Sequence, residues 1–268
     1  MTNIQTLQIH SQKVAQICFV VMAGLFSIVM ISNAHCPKNV THAAENVSVI
    51  CVDRTATYCE AHQICEQEGK KIGLRLFIPG YNAPKISYLF SDLGFIFTSL
   101  SAMLNRSNDH RAGWRVGDPG YTDFVTKNAD TTIPWHIDEP NADGPAVALY
   151  SGSHLFDYLQ ADHNASKVFC EISSRPTEEG VERFQANWPY LLDTLFFGIT
   201  KPYGCFDAFN ATTLLECAKH CKQRTECRSF YFHEPNRKCM LSLYVDYLLS
   251  LDFAGEPSAW VRYGRPDW

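Results

Sequence analysis

Apolar positions follow two different rhythms along this chain. Thr57-Tyr58-Cys59-Glu60 reads as a capping box, with a Thr N-cap and Glu at the third helical position. Tyr58, Ala61, Cys65 and Glu68 then share one face, with Ile64 beside it, so the spacing predicts a helix that Gly69 would end. Downstream the pattern changes to short alternating runs broken by Gly, Pro, Asn and Asp. Trp114-Arg115-Val116-Gly117, Val147-Ala148-Leu149-Tyr150 and Lys167-Val168-Phe169-Cys170 each suit a short strand. Near the C-terminus, Thr213-Leu214-Leu215-Glu216 opens a second helix, on which Leu214, Cys217, Ala218 and Cys221 fall on one face. Predicted strands follow at Arg228-Ser229-Phe230-Tyr231-Phe232, Lys238-Cys239-Met240-Leu241 and Trp260-Val261-Arg262-Tyr263. In the first of these a period of two puts one side in a core. The fold class is α+β.

The N-terminus carries a different signal. Ile17 to Ile31 contains no charge, Lys13 precedes it, and Ser32-Asn33-Ala34 is a small-x-small triplet suited to signal peptidase. Residues 1–34 therefore read as a signal peptide cleaved after Ala34. A type II signal anchor from Val14 to Ser32 is the alternative, and only that alternative would place the protein on a membrane. Sequons at Asn39, Asn46, Asn105, Asn164 and Asn210 agree with export and glycosylation. The expected protein is a secreted glycoprotein, and any occupied sequon should lie on a surface loop.

Eleven cysteines, none in a C-x-x-C pair, sharpen that picture. Cys18 sits in the apolar leader, and the remaining even set reads as a disulfide framework in an oxidising compartment. Cysteines are absent from Glu66 to Phe169 and crowd between Cys205 and Cys239. This density change predicts domains at 35–174 and 205–268, joined by a linker or packing segment at 175–204. In that segment SRPTEEGVER is polar, whereas WPYLLDTLFF is apolar enough to pack. A C-terminal domain this small needs bridges to support its core. The composition, 46% hydrophobic and 19% charged, is that of a folded protein. A formal net charge of −5 offers no basic field for nucleic acid.

Two stretches resemble known families. Cys65 to Glu171 resembles a C-type lectin-like domain. TYCEAHQICEQEG stands for its first helix, Trp114-Arg115-Val116-Gly117 for its WIGL strand, Trp135 and Glu139-Pro140-Asn141 for the ligand loop, and Phe169-Cys170-Glu171 for the closing strand. Cys205 to Tyr263 resembles a PAN/apple domain, with a helix bearing C-x₃-C, a further cysteine, an aromatic strand and Cys239-Met240-Leu241. The lectin resemblance implies a Cys65–Cys170 bridge and a second helix between Tyr81 and Leu104, where the apolar run FIFTSLSAML is too long to place. The PAN resemblance implies Cys217–Cys239 and Cys221–Cys227. Cys36, Cys51, Cys59 and Cys205 are left with open connectivity, including a bridge between the domains through Cys205. The inner disulfide usual in lectin-like domains is missing.

In sugar-binding lectins of this kind, Glu and Asn of EPN and the Asn-Asp of a WND strand hold calcium. The resemblance places Glu139, Asn141 and Asp157 at three such positions, as ligand-binding and metal residues. Phe156 occupies the fourth and cannot ligate; Asp138 or Asp143 would have to substitute. EPN recurs at Glu234-Pro235-Asn236, where no sugar site is expected. His136, Asp138, Glu139, His154 and Asp157 contain zinc-type ligands without the H-E-x-x-H spacing. Ser153 lacks a nucleophile elbow, and no carboxylate pair is marked for catalysis, so no enzyme is expected. Lys219, Lys222, Arg224 and Arg228 are the densest basic cluster, placed on the polar face of the second helix. Both resemblances imply recognition: binding of a carbohydrate or glycoprotein around Glu139, Asn141 and Asp157, with calcium as the possible cofactor, or calcium-independent protein–protein adhesion through the lectin-like loops and apple surface.

Overall fold

The computed structural model describes residues 36, 40–91, 93–104, 109–141, 144, 146–174, 180–197, 203–253 and 257–268. The leader at 1–34, Asn39, Asn105, Asp143 and the linker start at 175–179 lie outside the described residues. A hairpin of β1 (Thr41–Ala44) and β2 (Val47–Val52) leads to helix α1 (Tyr58–Ile72). The capping box forms as expected: Glu60 Oε2 accepts from the Thr57 N–H at 2.9 Å, and Thr57 Oγ1 accepts from the Glu60 N–H. The helix does not end at Gly69 but runs on to Ile72. Gly73, at φ 69°, supplies the left-handed turn instead, and the Leu74 N–H closes onto the Gly69 carbonyl at 3.0 Å. Gly69 has another duty: a Cβ there would meet the Leu74 carbonyl oxygen at 2.5 Å.

After α1 comes β3 (Leu76–Phe77), then the one-turn helix α2 (Ala83–Ile86) and a 3₁₀ turn, Ser87–Leu89. The apolar run that had no clear place becomes strand β4 (Phe95–Ser101), so the expected second helix is only this short element. Aromatic and β-branched residues in FIFTSLS favour that outcome. β4 pairs with β5 (Ala146–Ser151), which pairs with β6 (His154–Leu159). The closing strand β7 (Val168–Ile172) lies between β2 and β3 in a four-stranded sheet. Trp114–Gly117 is not a strand; Arg115 makes isolated bridges to Ser101 and Val125, while the Trp114 side chain is fully buried. Under the 80–82 turn, buried Asp118 accepts from the Gly80 and Tyr81 N–H groups, and buried Glu171 accepts from Asn82. Desolvation pushes these carboxyls up to about 6 and about 7.

The remaining elements are β8 (Gln185–Ala186), β9 (Phe196–Phe197), β10 (Phe206–Asn210), α3 (Leu214–Gln223), β11 (Cys227–His233), β12 (Lys238–Leu243), β13 (Leu249–Ser250) and β14 (Trp260–Gly264). They build a five-stranded antiparallel sheet in the order β10-β12-β11-β14-β8, beside a short parallel pair, β9 and β13. Every residue of β11 is buried, so the one-sided core expected there is two-sided. Phe230 and Phe232 join the cluster that holds Cys217 and Cys221 of α3. Tyr231 packs with Phe196, Leu249 and Trp260, which cover the second face. The apolar WPYLLDTLFF run thus packs in part: Trp188 and Phe196 are buried, whereas Leu191 is exposed.

The basic cluster also comes apart. Lys219 and Lys222 are exposed on α3, Arg224 lies past the helix and pairs with Glu226 and Asp207, and Arg228 is buried against Asp246. Of the described sequons, Asn46 occupies the exposed β1–β2 turn and Asn164 an exposed loop. Asn210 is the exposed last residue of β10, an edge strand, so none lies inside a core strand.

The bridges Cys65–Cys170, Cys217–Cys239 and Cys221–Cys227 form as the resemblances imply. The open set resolves as Cys36–Cys51 and Cys59–Cys205. Cys59–Cys205 ties α1 to the segment ahead of β10 across 146 residues of sequence. One core cluster runs from Tyr58, Cys65 and Phe97 to Cys205, Phe230 and Tyr247, and 36–268 makes a single contact unit. Cross-linking so long a loop restricts the unfolded chain strongly. The double variant Cys59→Ser/Cys205→Ser is therefore expected to lose about 2–4 kcal/mol in chemical denaturation. An unchanged unfolding midpoint would show that this bridge adds nothing.

Candidate functional site

The loop carrying Trp135 and Glu139-Pro140-Asn141 lies along β6. Trp135 bridges to Leu155 in parallel, and the His136 N–H donates to the Leu155 carbonyl at 2.9 Å. From inside, Trp114 packs on Trp135 with ring centroids 4.7 Å apart. Arg111 donates to the carbonyls of Asp130 and Glu139 and so holds the loop from its far side. Glu139–Pro140 is a cis peptide, and Asp138 adopts a positive φ of 67°.

This arrangement brings the expected site residues together. The Asn141 N–H donates to Asp157 Oδ1 at 2.8 Å, and Asn141 Nδ2 donates to the Asp138 carbonyl. Asp157 is buried on β6. Glu139 Oε2 is buried without a hydrogen-bond partner in the structure. Desolvation, and then the Asp157 carboxylate beside it, push the Glu139 carboxyl up to about 7.

Phe156, at the position of the missing ligand, stacks on the His136 ring at 4.7 Å. His154 meets the same imidazole edge-on at 5.3 Å. These histidines are part of an aromatic surface: His136 Nδ1 contacts the Ile137 carbonyl, and His154 Nδ1 contacts the Ser153 hydroxyl. Among the described residues no group of three or more His, Cys, Asp or Glu side chains is placed to hold a metal ion. Calcium takes six to eight oxygen ligands. Here one Asp157 oxygen already accepts an N–H, and a hydrocarbon ring stands at the fourth expected ligand position. The second EPN forms the β11–β12 turn, where the Asn236 N–H donates to His233 Nδ1.

Sequence reasoning missed a second constellation. Buried His62 stacks on Tyr244 at 4.6 Å, and the Tyr244 hydroxyl donates to Glu66 Oε2 at 2.7 Å. The one signal of it in the sequence is a polar ring within the apolar face of α1, since Tyr58, His62 and Glu66 recur at intervals of four.

The PAN domain family pattern matches residues 206–247 of this chain. In structure the chain is similar to the C-type lectin CEL-I from Cucumaria echinata, at 17% identity and TM-score 0.35, covering 53% of this chain and 99% of that one. It is similar to a C-type lectin from the tunicate Polyandrocarpa misakiensis, at 14% identity and TM-score 0.36, covering 48% and 99%. It is also similar to the carbohydrate-recognition domain of the mouse scavenger receptor C-type lectin, at 14% identity and TM-score 0.35, covering 51% and 97%. No curated protein matches by sequence.

The raised Glu139 carboxyl fixes the sign of a pH effect. A group whose folded pKa lies above its unfolded value costs nothing while both states are protonated, below about 4.5; stability then falls as pH rises through about 7. Glu139→Gln should remove that fall. A tenfold change in proton affinity corresponds to about 1.4 kcal/mol, and solvent at this open loop screens part of the effect, leaving about 1 kcal/mol in favour of the variant at pH 8. Denaturation of both proteins at pH 5 and pH 8 checks this; parallel pH dependences would contradict it.

Proposed function

We propose that this chain is a secreted recognition glycoprotein whose lectin-like loops bind an extracellular protein or glycoprotein without calcium. The observation that carries the reading is the Phe156–His136 stack, which puts an aromatic surface where a calcium ligand would stand. Beside it Ile137 projects from the loop at 76% exposure, next to exposed Asp138 in the chain. An apolar anchor with a polar rim is the composition of a protein contact. The five disulfides suit an oxidising compartment. No helix among the described residues is long and apolar enough to cross a membrane. The PAN domain match at 206–247 supports a recognition reading for the C-terminal part of the chain. Calcium-dependent carbohydrate binding is the second reading, supported by the meeting of Glu139, Asn141 and Asp157 at one place.

Thermal unfolding with millimolar calcium and then with a chelator separates the two. A ligand at a hundredfold excess over its Kd stabilises a fold by about 2.7 kcal/mol, a shift of several degrees. The midpoint is expected to stay where it is. A calcium-dependent rise would overturn this reading in favour of the second.

Glycosylation has its own test. Enzymatic deglycosylation of protein from a eukaryotic secretory host, followed by peptide mass spectrometry, should convert Asn46, Asn164 and Asn210 to Asp. Unmodified Asn at all three would contradict export as a glycoprotein.

A further inference from the structure

A cavity of about 660 Å³ opens between the C-terminal end of α1, β3 and the segments bearing Thr225, Tyr244 and Trp268. That volume is in the range of organic-ligand sites. It lies away from the Glu139 loop and shares none of its residues.

Arg75 lines this cavity together with the charged groups Glu66, Lys70 and Glu226. Its Nη2 donates to the Thr225 carbonyl at 3.0 Å, and its guanidinium lies 4.4 Å from the centre of the Trp268 ring. Among the described residues no carboxylate forms an ion pair with it. Arg228 packs on the same indole at 4.9 Å. Burial first, then the nearby Arg265 and Arg228 cations, lower Arg75 to about 10, with Glu182 and Glu226 opposing them, so it stays charged at neutral pH. Among the described residues its side chain donates only to the Thr225 carbonyl, and the planar guanidinium has the geometry that suits an oxyanion.

The acidic groups at the cavity each have a partner nearer than Arg75. Glu66 takes Lys70 and the Tyr244 hydroxyl, and Glu226 takes Arg224. The stacked His62–Tyr244 pair forms an aromatic wall, with His62 Nε2 buried and unpartnered. Burial lowers that imidazole to about 3, so it adds no charge. Leu74, Leu76 and Phe77 supply apolar surface.

We infer that this cavity binds a small organic anion with a planar apolar body, its carboxylate or sulfonate taken by Arg75 and its ring held between the aromatic and apolar walls. The guanidinium selects the charge, and the walls select the body.

Fluorescence titration of the full chain with anilinonaphthalene sulfonate tests this, with uncharged phenylnaphthylamine as the companion probe. The sulfonate should give saturable enhancement and bind at least tenfold more tightly than the neutral probe. Arg75→Gln should abolish that preference, and Arg75→Lys should keep most of it. Leu74→Trp, at a position 47% exposed, should fill the cavity and weaken both probes without lowering the melting temperature. If Arg75→Gln does not fold, the lysine and tryptophan variants decide the question. Absence of saturable enhancement, equal affinity for the two probes, or binding indifferent to Leu74→Trp would each overturn the proposal.

Discussion

Helix α1 is held by two disulfides six residues apart, and most of the architecture follows from that constraint. Cys65 fastens it to β7 in the N-terminal half, and Cys59 fastens it to the segment that begins the C-terminal half. With the helix fixed in both directions, its Tyr58–His62–Glu66 row must meet fixed neighbours. Tyr58 packs edge-on against Phe97 of β4, His62 stacks on Tyr244, and Glu66 receives the Tyr244 hydroxyl. The helix is therefore shared between the halves, and their common core passes through it.

A second tie is electrostatic. Asp246 is buried between Arg228 of β11 and Arg262 of β14, and both guanidiniums hold its carboxyl below the usual range although burial opposes this. Isolated burial of such charges would be costly, and pairing offsets the cost only where geometry supplies further contacts. Those contacts come from Trp188 and Trp268, over which Arg228 lies, and from the Trp188 carbonyl, which accepts from Arg262. The same Trp268 carries Arg75 from the N-terminal half. The arginines therefore build the join.

Local signals in the sequence are legible where a single element decides them. Both N-terminal helix caps, the closing strand and the C-x₃-C helix depend on neighbours within a few residues, and the structure has them. Gly69 misleads because two glycines compete near the helix end, and close packing against Leu74, not turn geometry, occupies the first. FIFTSLS and β11 are buried on both sides, which erases the period that marks a strand face. Arg228 resembles surface charge in the sequence because its partner, Asp246, and its aromatic cover are distant along the chain. At the Glu139 loop, the family resemblance predicts that Glu139, Asn141 and Asp157 lie near one another. The Phe156–His136 stack and the raised Glu139 carboxyl arise from tertiary contact, which no spacing records. The His62–Tyr244–Arg75–Trp268 cavity is assembled from residues far apart in the chain and leaves almost no trace in it.

Joined through α1 and the arginine-lined interface, the N-terminal and C-terminal halves should behave as one cooperative structure. Differential scanning calorimetry of the disulfide-intact protein tests this most directly. One transition, with calorimetric and van't Hoff enthalpies equal, is the predicted result. Two resolved transitions, or a calorimetric enthalpy well above the van't Hoff value, would show that the halves unfold separately and contradict the account.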